Sequence, residues 1–352
     1  MDSRARLVGD GLENPANAYA LRDAAAMFGV PCLFRDGRGL VGHWSAERAG
    51  GPLDMIGSPE LLDPSTPVVA VENASGATSV FGTALPPGRP SVVVGNERLG
   101  VRPDVLRAAV RCVQIPMAGR GVNTLNVASA AAVALHYLVA ASGRRTVRGA
   151  RPESRRPAVL LLGPGDHVEA GSTLRSAAAF GWRTVGLDDR AKVWWGTPRP
   201  VRTEARAAAR SSRNPLRVVP VSAERPVPAR RVVVAGLRVT GPPLHRVDLT
   251  GGPETLLVIP DEEATGPAEE CRRLGPRVEF ARLELPAADV PYRYRLVAAI
   301  VLAEVARQLG IGTRASGRPG PAPRHRPRYD SSLALVDSPD AELVTPAELE
   351  AY

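Results

Sequence analysis

The chain has 352 residues, 44% of them hydrophobic and 23% charged, with a formal net charge of +9 carried almost wholly by arginine. That length and apolar content support two domains with packed cores and exclude a disordered or fibrous chain. The basic balance fits a polyanionic partner, nucleic acid first, although a preference for Arg, Ala, Gly and Pro codons accounts for it equally well. Cys32, Cys112 and Cys271 lie far apart. A sparse, odd set without metal-ligand spacing predicts a reduced, cytoplasmic protein with no metal and no disulfide framework. MDSRARLVGDGLENP has no apolar signal core, and the apolar runs near 127–141 and 296–306 are too short or too interrupted to span a membrane.

In chain order, LRDAAAMFGV (21–30) reads as an Ala-rich helix ending at a glycine, and PVVAVENAS (67–75) and SVVVGNE (91–97) read as buried parallel strands that stop at turn residues. LNVASAAAVALHYLVAA (125–141) is a long apolar helix. Such alternation predicts an α/β layered domain. SGRRTVRGARPESRRP (142–157), with six arginines, reads as an exposed basic linker.

The pattern then begins again. PAVLLLGPG (157–165) is a strand, STLRSAAAFGW (172–182) repeats LRDAAAMFGV, TLLVIPDEE (255–263) echoes SVVVGNERLG, and RLVAAIVLAEVARQLG (295–310) echoes the helix at 125–141. Two diverged copies of one α/β unit are therefore expected. The stretch 189–252 is rich in Arg and Pro and suggests short strands, and 313–330 and 338–352 read as low-complexity tail. The five histidines are scattered without metal spacing, and Trp194 and Trp195 read as buried packing sooner than as a base-stacking platform.

Three segments of the first copy carry a family resemblance: NAYALRDAAAMFGV from Asn17, VVVGNERLGV with Val94, Gly95, Asn96 and Glu97, and IPMAGRGVNTLNVASAAAVAL from Ile115. In order and separation they resemble the SpoU-type methyltransferases of the SPOUT superfamily. The resemblance covers most of 1–140, and in degenerate form much of 157–310. Thr124 stands where the family has serine, and the stretch from Gly119 to Leu125 is one residue longer than usual.

The residues themselves suit such a site. Gly95 ends a buried strand, where a backbone can approach a ligand closely. Ile115, Pro116 and Met117 offer an apolar segment for an adenine ring. Leu125 and Asn126 open a helix whose free N–H groups need partners.

The resemblance implies an S-adenosylmethionine-dependent RNA methyltransferase acting on a ribose 2′-hydroxyl of rRNA or tRNA. It implies a cofactor site of Val94, Gly95, Asn96, Glu97, Ile115, Met117, Thr124, Leu125 and Asn126, in loops tied as a deep trefoil knot. The alternative is a catalytically inactive RNA-binding or ribosome-assembly factor that keeps the cofactor fold. The second copy has Pro260-Asp261-Glu262 in place of Gly95-Asn96-Glu97, and YRL ending at Leu296 in place of LNV. One cofactor per chain is expected.

The family's first motif places an arginine six residues after its asparagine and six before a glycine. From Asn17 and Gly29 that position is Asp23, with Arg22 one residue out; in the second copy it is Arg175, six before Gly181, while the asparagine position holds Glu169. In SpoU-type dimers this arginine serves the opposite subunit's cofactor site. The resemblance thus implies one composite catalytic site of Asn17, Glu97, Asn126 and Arg175. The expected architecture is two SPOUT-like α/β units with mostly parallel sheets, packed as a monomeric pseudodimer: a methyltransferase unit at 1–141, a basic linker at 142–156, a degenerate unit at 157–312 and a tail at 313–352.

Overall fold

The computed structural model describes residues 5–36, 39–41, 51–118, 125–140, 155–196, 216–222, 229–252, 254–262, 271, 274, 277–287 and 292–311. The first half gives β1 (Arg6–Asp10), α1 (Pro15–Met27), β2 (Cys32–Arg35), β3 (Asp54–Met55), α2 (Ser58–Leu61), β4 (Val68–Val71), β5 (Thr78–Ser79), β6 (Ser91–Val94), α3 (Pro103–Ala108), β7 (Arg111–Gln114) and α4 (Val127–Leu135), which continues as a π-helical turn over His136–Ala140. The second half gives β8 (Ala158–Leu162), α5 (His167–Ala179), β9 (Thr184–Asp188), β10 (Arg217–Pro220), β11 (Arg231–Gly236), β12 (Thr255–Pro260), β13 (Val278–Arg282) and α6 (Tyr294–Gln308).

These strands make two sheets, a seven-stranded one in the order β3-β2-β1-β6-β4-β7-β5 and a six-stranded one in the order β10-β9-β8-β12-β11-β13. Every ladder within them is parallel. Without the short β5, the two orders are the same order. The expected repeat is thus present in strand connectivity as well as in residue pattern. Runs such as SVVV and TLLVIP are buried at every position, as strands of a parallel sheet covered on both faces must be.

Local signals set the helix that matters most for the site. Asn14 caps α1, its side chain accepting from the Ala16 N–H at 2.9 Å, and Pro15 occupies the first turn, where a missing N–H costs nothing. The helix therefore starts at Pro15, six residues ahead of the expected 21, and stops before Gly29, which takes φ +62°. Its counterpart α5 likewise starts at His167, ahead of the expected 172, because Asp166 caps it through the Val168 and Glu169 N–H groups at 2.6 and 2.9 Å.

Helix α4 packs on α1 of its own half and on α6 of the other, while α6 packs on α5. One apolar cluster runs through all four helices. Inside this seam the Tyr137 hydroxyl donates to Glu304 Oε2 at 2.8 Å, and Glu304 is held by Arg307 at 2.8 and 2.5 Å. The expected apposition of the two apolar helices is observed. The basic linker apart from Arg155 and Arg156, most of 197–230, the tail and the loop 119–124, through which the expected knot would pass, lie outside the described residues.

Candidate functional site

All three motif segments of the first half sit at the carboxyl ends of parallel strands, where ligands bind in open α/β sheets. The loop before α1 follows β1, Gly95 follows β6, and Ile115 follows β7. Strands β1 and β6 are neighbours, and β4 alone separates β6 from β7.

A chain of hydrogen bonds joins the three segments. Glu97 Oε1 accepts from Asn17 Nδ2 at 2.8 Å and from the Asn14 N–H at 3.3 Å, and its Oε2 accepts from the Glu13 N–H at 3.1 Å. Asn17 Oδ1 in turn accepts from Asn126 Nδ2 at 2.9 Å. Asn126 Oδ1 caps α4 through the Ala128 N–H at 3.0 Å. Both asparagines are buried. The Asn17 amide is used at both ends, so its orientation is fixed by two partners of opposite character.

The backbone at Gly95 leaves no room for a side chain. A Cβ there would lie 2.1 Å from the Gly100 carbonyl carbon and 2.2 Å from the Val101 nitrogen. The loop folds back on itself: the Asn96 N–H donates to the Gly100 carbonyl at 3.0 Å and the Gly100 N–H returns the bond at 2.9 Å. Asn96 is structural too, donating to the Gly11 carbonyl at 2.7 Å and accepting from the Arg98 and Leu99 N–H groups at 2.8 and 2.9 Å. Glycine here serves the tight return of its own chain.

The residues of these segments suit a nucleoside carried on a sulfonium. Ile115 and Leu125 are buried at the loop bases, Met117 is half-buried against the core, and Val94 is buried at the end of β6. They supply an apolar wall beside the polar chain from Glu97 to Asn126. Thr124, expected to add a hydroxyl, lies outside the described residues.

The second half reaches this site. Arg175 on α5 donates from Nη2 to the Leu125 carbonyl at 3.1 Å, one residue before Asn126. Arg22, its competitor in the sequence, lies over the Tyr19 ring of its own helix at 5.0 Å. Asp23, which occupies the family's arginine position in the first half, instead accepts from Arg293 Nε at 2.6 Å. The structure thus brings Asn17, Glu97, Asn126 and Arg175 together.

The equivalent place in the second half is built differently. Where Asn17 meets Asn126, Glu169 accepts from the Arg295 N–H at 2.8 Å, with Arg295 Nη1 3.4 Å from its other oxygen. Burial pushes the Glu169 carboxyl up, against the lowering effect of Arg295. Glu262 turns to the far side and accepts from the Leu237 and Arg238 N–H groups at 2.9 and 2.8 Å. A cleft of about 280 Å³ remains, lined among others by Glu169, Asp261, Tyr292, Arg293 and Tyr294. Its lining offers carboxylates and an arginine where the first half offers amides. Trp194 is buried and Trp195 half-buried, with both backbone N–H groups on Asp189. Among the described residues no group of His, Cys, Asp and Glu is arranged to hold a metal, and no helix is long and apolar enough to cross a membrane.

Comparison with known proteins agrees with the motif segments. The model of the SpoU rRNA Methylase family matches residues 60–136, which contain the second and third segments. S-adenosylmethionine is that family's methyl donor. No curated protein matches. Among solved structures, the TrmH/SpoU tRNA modifying enzyme of A. aeolicus is 20% identical, over 39% of this chain and 74% of its own, with a TM-score of 0.33. The AdoMet-bound rRNA methyltransferase of Sinorhizobium meliloti is 19% identical over 39% of this chain and 56% of its own, with a TM-score of 0.33. An RNA 2′-O ribose methyltransferase is 26% identical over 39% and 56%, with a TM-score of 0.32. Residues 60–136 thus match the SpoU methylase family model, within a doubled α/β fold.

Proposed function

We propose that the chain is an S-adenosylmethionine-dependent RNA methyltransferase acting on a ribose 2′-hydroxyl of rRNA or tRNA. It does so through one composite site: the cofactor loops come from the first half and a catalytic arginine from the second. The observation that carries this reading is the Arg175 guanidinium on the Leu125 carbonyl, beside the Glu97–Asn17–Asn126 chain.

The bound cofactor supplies an electrophilic methyl group on a sulfonium, so the protein's share is mostly alignment. Val94, Ile115, Met117 and Leu125 would line the nucleoside, Thr124 would add the hydroxyl that the family resemblance implies, and Gly95 and Asn96 would shape the loop beside it. Glu97 and Asn17 hold the β1–α1 connection and Asn126 in register. Arg175 clamps the target phosphate and ribose and stabilises negative charge as it develops on the 2′-oxygen. The proton leaves to solvent or to a phosphate oxygen of the RNA.

The chain works as a monomeric pseudodimer, and the protein acts in the cytoplasm. The test is transfer of labelled methyl from S-adenosylmethionine to rRNA and tRNA, followed by mapping of 2′-O-methyl positions. RNA binding without transfer would leave an assembly factor in its place.

A further inference from the structure

We propose that Arg102, acting through Asp10, is a positioning residue that fastens the Gly95–Val101 loop over the cofactor site. The inference rests on the cofactor reading above. Asp10 ends β1 and is fully buried. Arg35, opposite it on β2, binds both its oxygens at 2.8 and 2.9 Å, and binds Asp104 at 2.7 and 3.2 Å. That arrangement already neutralises the buried carboxylate with a bidentate guanidinium. Arg102 nevertheless adds two more bonds to Asp10 Oδ1, from Nε at 2.9 Å and Nη2 at 2.5 Å, with its own side chain 38% exposed.

What the second arginine adds is closure of a ring. Gly11 follows Asp10, and its carbonyl accepts from Asn96 Nδ2 at 2.7 Å. From Asn96 the loop runs to Gly100, which closes back on Asn96, and then through Val101 to Arg102, which returns to Asp10. The Val101 N–H is held separately by Glu72 Oε2 at 2.8 Å. Both ends of the loop are thereby pinned to the β1–α1 connection, the segment whose Glu13 and Asn14 N–H groups receive Glu97. Without the Arg102 end, Glu97 and the loop backbone lose their fixed relation to Asn17.

The second half supplies an independent observation. At the same place in its sheet, the last residue of β8 is Leu162, opposite Asp188 on β9. The half that lacks the cofactor loop also lacks the buried carboxylate that anchors it.

Arg102→Met in the full chain separates positioning from stability, because Asp10, Arg35 and Asp104 keep one another. Two quantities are read: amide hydrogen exchange at Asn96, Leu99 and Gly100 without cofactor, and S-adenosylmethionine affinity by calorimetry. We expect exchange at least tenfold faster at those amides, affinity weakened at least tenfold, and a melting temperature within a few degrees of wild type. Arg102→Lys should recover part of both effects, since it restores the charge without the fork. Unchanged exchange, or unchanged affinity, in Arg102→Met overturns the tether. A melting temperature that falls in step with the affinity also overturns it, in favour of a plain stability role. A wild-type chain that binds no S-adenosylmethionine overturns the cofactor reading itself, and the tether as a cofactor device with it.

Discussion

Arg175 and Leu125 stand fifty residues apart in the chain and belong to different halves, yet the arginine's Nη2 lies 3.1 Å from the leucine's carbonyl oxygen. The carbonyl belongs to the turn that presents Asn126 to α4. A side chain of the second half is therefore held one residue from Asn126 of the first. Arg175→Ala should lower methyl transfer by about 100-fold or more, the scale of a lost transition-state donor, while S-adenosylmethionine still binds. Arg22→Ala should leave both within a few-fold. Full turnover in the first variant together with its loss in the second would remove the composite site.

Cofactor stoichiometry follows from the difference between the halves. Calorimetric titration of the full chain should give one S-adenosylmethionine per chain, and light scattering at micromolar concentration should give a monomer. Two equivalent sites per chain, or a stable dimer, would contradict the asymmetry of Asn17–Asn126 against Glu169–Arg295.

Glu97 holds three N–H donors, two of them backbone. In Glu97→Ala each donor loses its partner, at about 1–3 kcal/mol for any that stays buried and dry. We expect cofactor binding to weaken by tenfold or more, with faster amide exchange at Glu13 and Asn14. Glu97→Gln keeps an acceptor and should fall between the two. Normal binding by the alanine variant would show that the chain of bonds is dispensable.

Acid should weaken the first half through Asp10. Burial alone raises its carboxyl, but hydrogen bonds and charge from Arg35 and Arg102 outweigh that and hold it below the ordinary aspartate value. A depressed folded-state pKa gives stability that is fully present above the unfolded value and lost as pH falls through the folded one. The unfolding free-energy gap between wild type and Asp10→Asn, on the order of 3 kcal/mol at pH 7, should therefore narrow below about pH 4. Urea titrations at pH 7 and pH 3.5 check this, and a gap that does not change with pH would refute it.

The seam between α4 and α6 offers a further test. Glu304 is buried with Arg307, Gln308 and Tyr137 as its partners. Glu304→Gln should cost about 3–5 kcal/mol because a buried guanidinium loses its counter-charge. Tyr137→Phe, which removes one neutral donor, should cost about 1 kcal/mol. Equal losses from the two in denaturant unfolding would mean that the ion pair is not what the seam depends on.

Much of this was readable in the residues. The repeat and the apolar helices at the seam follow from spacing; the register that puts Arg175 and not Arg22 at the arginine position is what the family resemblance implies. Other features were hidden by local compensation. RLVGD ends β1 on a charge; only Arg35 of β2 and Arg102, both distant in sequence, make a buried Asp10 acceptable. The early start of α1 had a legible signal in Asn14-Pro15, masked by the Ala-rich stretch that begins later. At Gly95 a side chain would meet the protein's own backbone, and nothing in the sequence distinguishes a glycine that admits a ligand from one that admits its own chain. The same holds for Glu169, which reads as a simple loss of asparagine until Arg295 is seen beside it.

The shared strand order of the two sheets has one last consequence. In a symmetric homodimer every substitution is made twice, so a residue cannot be altered in one pocket and spared in the other. Here two halves with one strand order share a chain, and each position changes alone. Asp23 is taken up by Arg293, while Arg175, at the matching place in the other half, rests on the Leu125 carbonyl. Joining the halves end to end lets one position hold opposite charges in the two.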